Sequence, residues 1–167
     1  MFDEIQDHLK HNLNILFVGF NPSIRSGETG HHFANPTNRF WKVLYRANIT
    51  PILLEGEEDY KLLEFECGLT NIVARPTKAA TDITKEEYEV GRVILKEKIE
   101  KYKPKVVCFV GKGVYEQFAQ KKSVPWGRQD VSIVKGTIDF VAPSSSGLVR
   151  MSIDEITDIY KQIHNLF

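Results

Sequence analysis

Asn21 stands directly before Pro22, at the end of the apolar run Ile15-Leu16-Phe17-Val18. A polar side chain held at a strand end by proline is rigid and aimed. An asparagine amide hydrogen-bonds a water and orients it, but it does not remove a proton efficiently. That suits a reaction whose leaving group departs early and whose nucleophile needs only positioning. Cleavage of a glycosidic bond through an oxocarbenium-like state meets this demand. Asn-Pro is also a common turn dipeptide, so the pair alone does not decide. A second stretch is Val141-Ala142-Pro143-Ser144-Ser145-Ser146-Gly147-Leu148-Val149-Arg150. Its small residues allow close approach to another backbone, and its hydroxyls and amides suit phosphate contacts. Leu148 projects from a Gly-rich polar loop with Arg150 beside it, and an apolar wedge next to arginine is how proteins unstack bases. The plainer alternative is a Ser-rich turn with Leu148 tucked into the core.

Other chemistries lack their residues. No Gly is followed at Walker spacing by Gly-Lys-Ser/Thr. Gly111-Lys112-Gly113 sits where a strand meets a helix and reads as a phosphate cradle or as a plain tight turn. There is no His-Glu-x-x-His and no Cys-x-x-Cys, and the adjacent His31 and His32 cannot share a helix face, so no metal is expected. Cys67 and Cys108 are too few for a disulfide framework or a structural zinc site.

The elements that must position these loops follow from pattern. Asn14–Phe20 and Lys105–Val110 read as strands buried on both faces, Gly68–Val73 as another. Val131–Val134 and Thr137–Ala142 read as two more, around Lys135-Gly136. After Pro22 the spacing predicts a long loop to about Asn35. Asn35-Pro36 then serves as N-cap and first residue of a helix carrying Phe40, Leu44 and Ala47. A short acidic helix spans Glu57–Phe65. Thr84 with Glu87, and Ser152 with Glu155, form capping boxes for two further helices, and Gly111 leads into one carrying Val114, Tyr115 and Phe118. Strands alternating with helices predict an α/β fold with a mostly parallel sheet covered on both faces. Ligands then sit beyond the carboxyl ends of the strands, where the Asn21 and Ser144–Ser146 loops should open together.

The 167 residues correspond to about one domain, 1–167, of ordinary globular composition, 42% hydrophobic and 26% charged. No apolar run approaches a membrane span. The start, Met1-Phe2-Asp3-Glu4, lacks a signal-peptide layout, and a cytoplasmic location is expected. Net charge is zero, which argues against binding nucleic acid by bulk charge. The charge is segregated, however. Residues 19–50 and 120–135 each carry a net +3, and residues 55–66 a net −5. A basic face with an acidic back can hold a polyanion. Solvated helix faces are the alternative.

Gly19-Phe20-Asn21-Pro22-Ser23 resembles the Gly-Ile-Asn-Pro-Gly motif of the mismatch-specific uracil-DNA glycosylases. Asn38-Arg39-Phe40-Trp41-Lys42 resembles the Asn-Arg-Phe-Trp-Lys that follows it in bacterial members. Pro143–Arg150 resembles their second motif, Asn-Pro-Ser-Gly-Leu-Ser-Arg. Gly30-His31-His32-Phe33 and Pro143-Ser144-Ser145-Ser146 are closer to the eukaryotic thymine-DNA glycosylases. The resemblance runs in order from about residue 13 to the end. It implies a three-layer α/β/α domain with a central, mostly parallel sheet of four to five strands. It also implies roles, position by position. Asn21 matches the asparagine that positions the attacking water. Phe33 matches the aromatic that stacks on the flipped base, and Phe20 and Phe33 match positions whose backbone amides read the uracil edge. Ser26 matches a pocket serine of bacterial members, His32 and Asn71 pocket positions of the eukaryotic branch, and Asn38 belongs to the base-binding set. Ser144, Ser145 and Ser146, whose hydroxyls and amides suit phosphates, are read as phosphate contacts. Gly147, Leu148 and Val149 match the wedge that fills the vacated stack, and Arg150 ends it.

Three positions depart from the bacterial motifs. Ser23 replaces a glycine, which would be strained by about 1 kcal/mol if that position needs positive φ. Ser144 replaces an asparagine and Val149 a polar wedge residue. His31 reads as solvent-exposed and inert. The resemblance thus implies a monofunctional, monomeric DNA glycosylase of base excision repair without metal or cofactor. Its partner is double-stranded DNA with a mismatched or damaged base, G·U above all, since flipping is least costly at a mismatch. No motif places a lysine as a Schiff-base nucleophile. Three rivals remain open: a glycosylase for hypoxanthine, xanthine or ethenocytosine, a non-catalytic damage-binding module, and a nucleotide-binding protein using Gly111-Lys112-Gly113.

Overall fold

The computed structural model describes residues 4–167, so Met1-Phe2-Asp3 of the acidic start lie outside the described residues. Among the described residues five strands form one sheet: β1 (Ile15–Gly19), β2 (Cys67–Asn71), β3 (Val106–Val110), β4 (Gly127–Arg128) and β5 (Ile138–Ala142). Their order is β2-β1-β3-β5-β4, parallel throughout except for β4, which runs antiparallel to β5. Five α-helices accompany it: α1 (Ile24–Thr29), α2 (Phe40–Arg46), α3 (Lys85–Tyr102), α4 (Lys112–Ala119) and α5 (Ile153–Lys161).

The apolar strand runs divide with period two, as the pleat requires. Ile15 and Phe17, Val106, Cys108 and Val110, and Phe140 and Ala142 enter one core with Phe40, Leu44, Ile156 and Tyr160 of α2 and α5. Leu16 and Val18, Val107 and Phe109, and Val141 enter the other with Leu95, Ile99, Val114 and Phe118 of α3 and α4. The result is a three-layer α/β/α architecture with a five-stranded, mostly parallel sheet, as expected from sequence.

Four local expectations are corrected. Residues 131–134 are not a strand: Ile133 N–H donates to Asp139 Oδ2 at 3.0 Å and Asp139 N–H to Ser132 Oγ at 3.0 Å, so side chains replace a ladder. The strand beside β5 is the two-residue β4. Asn35 does not cap α2. Its Oδ1 accepts from Thr37 N–H and Thr37 Oγ1, closing a turn, and the helix begins only at Phe40, where Asn38 Oδ1 accepts Phe40 N–H at 3.0 Å. The loop after Pro22 contains α1, capped by Ser23, whose hydroxyl accepts Ser26 N–H. Ser23 has φ −69°, so its Cβ brings no strain and its side chain contributes a cap worth about 1 kcal/mol. The acidic segment Gly56–Phe65 is a 3-10 helix. Both capping boxes form as read, at Thr84 and Ser152. Among the described residues no helix is long and apolar enough to cross a membrane.

Candidate active site

Because β1, β2 and β5 are parallel, the segments leaving their carboxyl ends meet at one sheet edge. A cavity of 330 Å³ opens there. Asn21, Ser26, His32, Phe33, Asn38, Asn71, Ser146, Gly147 and Leu148 all line it. Phe20, Ser144, Ser145, Val149 and Arg150 do not. The Phe20 ring turns the other way, against Gly113, where a Cβ would come within 2.6 Å of it, and towards Tyr88.

Asn21 is held by a chain of bonds that begins in a helix cap. Glu87 of the α3 capping box takes Arg75 in a bidentate pair, both N···O distances 2.8 Å. The hydrogen bonds from Arg75 bring the Glu87 carboxyl down to about 2. Arg75 O in turn accepts Asn21 Nδ2–H at 2.7 Å. The second Nδ2 proton goes to Thr77 Oγ1 at 2.8 Å, and the Thr77 hydroxyl donates onward to Ala79 O at 2.7 Å. Both amide protons are thus spent, which fixes the rotamer and assigns nitrogen and oxygen. Among the described residues no donor occupies Asn21 Oδ1, which remains free to accept from a water. Arg75 and Thr77 were not among the residues singled out from sequence. Their signal was the rule that every strand's carboxyl end feeds the site, applied to β2. Lys78, next in the chain, also lines the cavity.

Phe33 forms one wall. Its ring stacks on Phe40 at 3.9 Å with planes 13° apart. Its φ is +50°, a conformation that costs a non-glycine residue about 1 kcal/mol and persists only where neighbours enforce it. Trp41 Nε1–H donates to Phe33 O at 3.2 Å, and Ala34 N–H donates to the buried Ser26 hydroxyl at 3.2 Å. Burial lowers the pKa of His32, which is therefore neutral at pH 7. Its Nε2 lies 2.8 Å from Gln6 O. A carbonyl only accepts, so Nε2 carries the proton. His31 is not an inert surface residue, because its Nδ1 lies 3.1 Å from Asp59 Oδ1. Asn71 has a side chain with no hydrogen-bond partner among the described residues, lying close over Gly19, where a Cβ would meet Asn71 Oδ1 at 2.7 Å.

The 144–151 loop is more tightly tied than a phosphate-contacting serine loop needs to be. Ser145 is buried and donates its hydroxyl to Asn38 Oδ1 at 2.7 Å, so it is not available to a phosphate. Ser144 Oγ and Ser146 Oγ accept the N–H groups of Ser146 and Leu148. Arg39, in the Asn38–Lys42 motif, clamps this loop with its guanidinium. Nη1 donates to Met151 O at 2.8 Å, and Nη2 to Ser146 O at 2.8 Å and Val149 O at 3.1 Å. Arg39 Nε is buried without a partner. Gly147 fits against Thr37, whose carbonyl would lie 2.8 Å from a Cβ there. From this rigid loop Leu148 projects 94% exposed, not tucked into the core. Arg150 is exposed beside it. At the other candidate turn, Lys112 Nζ lies 4.1 Å over the Trp126 ring and Gly113 packs on Phe20.

With this geometry in view, comparison with known proteins gives two findings. The family model described as "Uracil DNA glycosylase superfamily" matches residues 6–164. The fold is similar to the solution NMR structure of a candidate uracil DNA glycosylase from Methanosarcina acetivorans. The TM-score is 0.60 at 22% identity, over 97% of this chain and 98% of that one.

Proposed function

Since the chain belongs to the uracil DNA glycosylase superfamily, we propose that it is a monofunctional DNA glycosylase that removes uracil from double-stranded DNA, G·U mismatches above all. The observation that carries this reading is Asn21: an amide locked by Arg75 O and Thr77 Oγ1, with its oxygen free in a cavity walled by the Phe33 ring. Such a group orients a water and cannot act as a strong base, which is what an early-departing leaving group calls for.

The reaction runs in a fixed order. Exposed Leu148 enters the stack as the target nucleotide rotates out, at a cost on the order of a few kcal/mol that is lowest for a mismatch. Arg150 and Lys78, at the loop and the cavity rim, meet the backbone phosphates. Uracil enters between Phe33 and Asn71. The C1′–N1 bond breaks with its electron pair leaving on the base, and the backbone amide of Phe33 at the cavity wall stabilises the growing negative charge. Water held on Asn21 Oδ1 then attacks C1′ and releases its proton to solvent. One domain acting as a monomer suffices for this sequence of steps.

A second reading rests on Asn71. Its amide is unpartnered and can present either a donor or an acceptor to a base, so hypoxanthine, xanthine or ethenocytosine could be read by the same pocket. Release assays on duplexes carrying each lesion distinguish the readings. Uracil release from G·U at least tenfold faster than from any other lesion supports the first.

A further inference from the structure

Behind the pocket wall lies a cluster that the reaction scheme does not use. Asp59 belongs by sequence to the acidic 55–66 segment, yet it is only 1% exposed. Its Oδ2 accepts His32 N–H at 2.8 Å and lies 3.2 Å from His8 Nε2, while Oδ1 lies 3.1 Å from His31 Nδ1. With the Trp41 bond to Phe33 O and the Ser26 bond to Ala34 N–H, three side chains hold three consecutive residues. Phe33, at positive φ, is the middle one.

We propose that Asp59 is a positioning residue for base release: its buried carboxylate fixes the backbone at His32 and so holds Phe33 in the left-handed conformation that presents its ring to the cavity. This rests on the glycosylase reading for its effect on rate, but not for its effect on the backbone. A charged acceptor suits the task, since bonds to it are about twice as strong as neutral ones. The ligand atoms of His8, His32 and Asp59 also lie within 4.8 Å of one another, as in a metal site. Here the Asp59 oxygens are already engaged by two rings and one amide, and His32 Nε2–H is spent on Gln6 O. Hydrogen bonding accounts for the cluster without an ion.

The test compares Asp59→Ala with Asp59→Asn, which keeps one acceptor oxygen and the shape. Amide exchange at His32 is read in the free protein. Single-turnover uracil release and affinity are read on G·U duplex. We expect Asp59→Ala to speed His32 exchange about 30-fold and to slow release about 30-fold, with Kd for the duplex within about threefold. Asp59→Asn folds, and should shift exchange and release by only about threefold each. Unchanged His32 exchange in both variants overturns the proposal, as does faster exchange with release unchanged. A wild-type protein that releases no base refutes the glycosylase reading, while the exchange arm still decides whether Asp59 anchors the loop. A saturable, stoichiometric Zn²⁺-induced rise in Tm that Asp59→Asn abolishes would overturn the hydrogen-bonded account in favour of a metal site.

Discussion

Replacing Arg39 by lysine keeps the charge and removes the fork. The wild-type guanidinium spans three carbonyls, those of Ser146, Val149 and Met151, at 2.8–3.1 Å. A single ammonium on a flexible stem reaches one of them. Losing two bonds from a charged donor, at about 1.5 kcal/mol each, removes about 3 kcal/mol from the ordered loop. Part of this appears as global stability, and Tm should fall by less than the roughly 6–12 °C that the full loss would give a chain of this size. The rest concerns function. A wedge on an unclamped loop must be ordered again at each encounter, so uracil release from duplex should slow by up to about 100-fold. A single-stranded substrate needs no wedge, and its release should stay within about threefold of wild type. The assay is single-turnover release from matched duplex and single-stranded oligonucleotides, run well below the variant's Tm. Equal losses on both substrates would refute the reasoning, because they would place the damage in the pocket. A lowered Tm with both rates intact would refute it too, by showing that loop order is irrelevant to flipping.

Three further outcomes follow from the same geometry. Thr77→Val removes one of the two bonds that orient the Asn21 amide, worth about 1.4 kcal/mol or tenfold in release rate, and Thr77→Ser restores it; equal rates for both variants would remove Thr77 from the site. Leu148→Ala leaves Tm unchanged, because the side chain is 94% exposed, and slows release from duplex more than from single strands; equal slowing on the two substrates would end its role as a wedge. Acid stability tests Asp59. Burial pushes its carboxyl up, but the bonds from His8, His32 N–H and His31 outweigh that and bring it to about 2, from 3.8 unfolded. A depressed folded value adds stability above the unfolded pKa that is lost as pH falls through the folded one. The stability advantage of wild type over Asp59→Asn should therefore shrink by about 2 kcal/mol between roughly pH 5 and pH 1.5, measured by urea unfolding. A constant difference across that range would contradict the assigned shift.

The sequence made the frame legible wherever burial or capping left a local mark. Val106–Val110 is apolar at every position because both faces are covered, and Thr84 with Glu87 announces α3 by side-chain chemistry alone. Segments settled by distant partners were not legible. Val131–Val134 has strand composition, but Asp139 Oδ2 takes the Ile133 N–H, and Ser132 Oγ takes the Asp139 N–H that a ladder would use. Asn35 resembles a helix cap, yet Thr37 draws its side chain into a turn. The same division holds at the site. Asn21, Phe33 and Leu148 could be chosen by type and motif. Thr77, Arg39 and Asp59 act through backbone and side-chain groups 56, 107 and 27 positions away, respectively, and only the folded chain brings those together.

The central claim is that a water held on the Asn21 amide completes removal of a flipped base. Its most direct test is base excision from a labelled duplex with a single uracil, opposite guanine or adenine, and from the single strand, with abasic sites revealed by hot alkali. Wild type and Asn21→Ala are run side by side. The account predicts release from G·U well above A·U, and its loss in Asn21→Ala with duplex binding retained. Equal release by the two proteins, or binding to the mismatch with no release at stoichiometric wild-type enzyme, would contradict it.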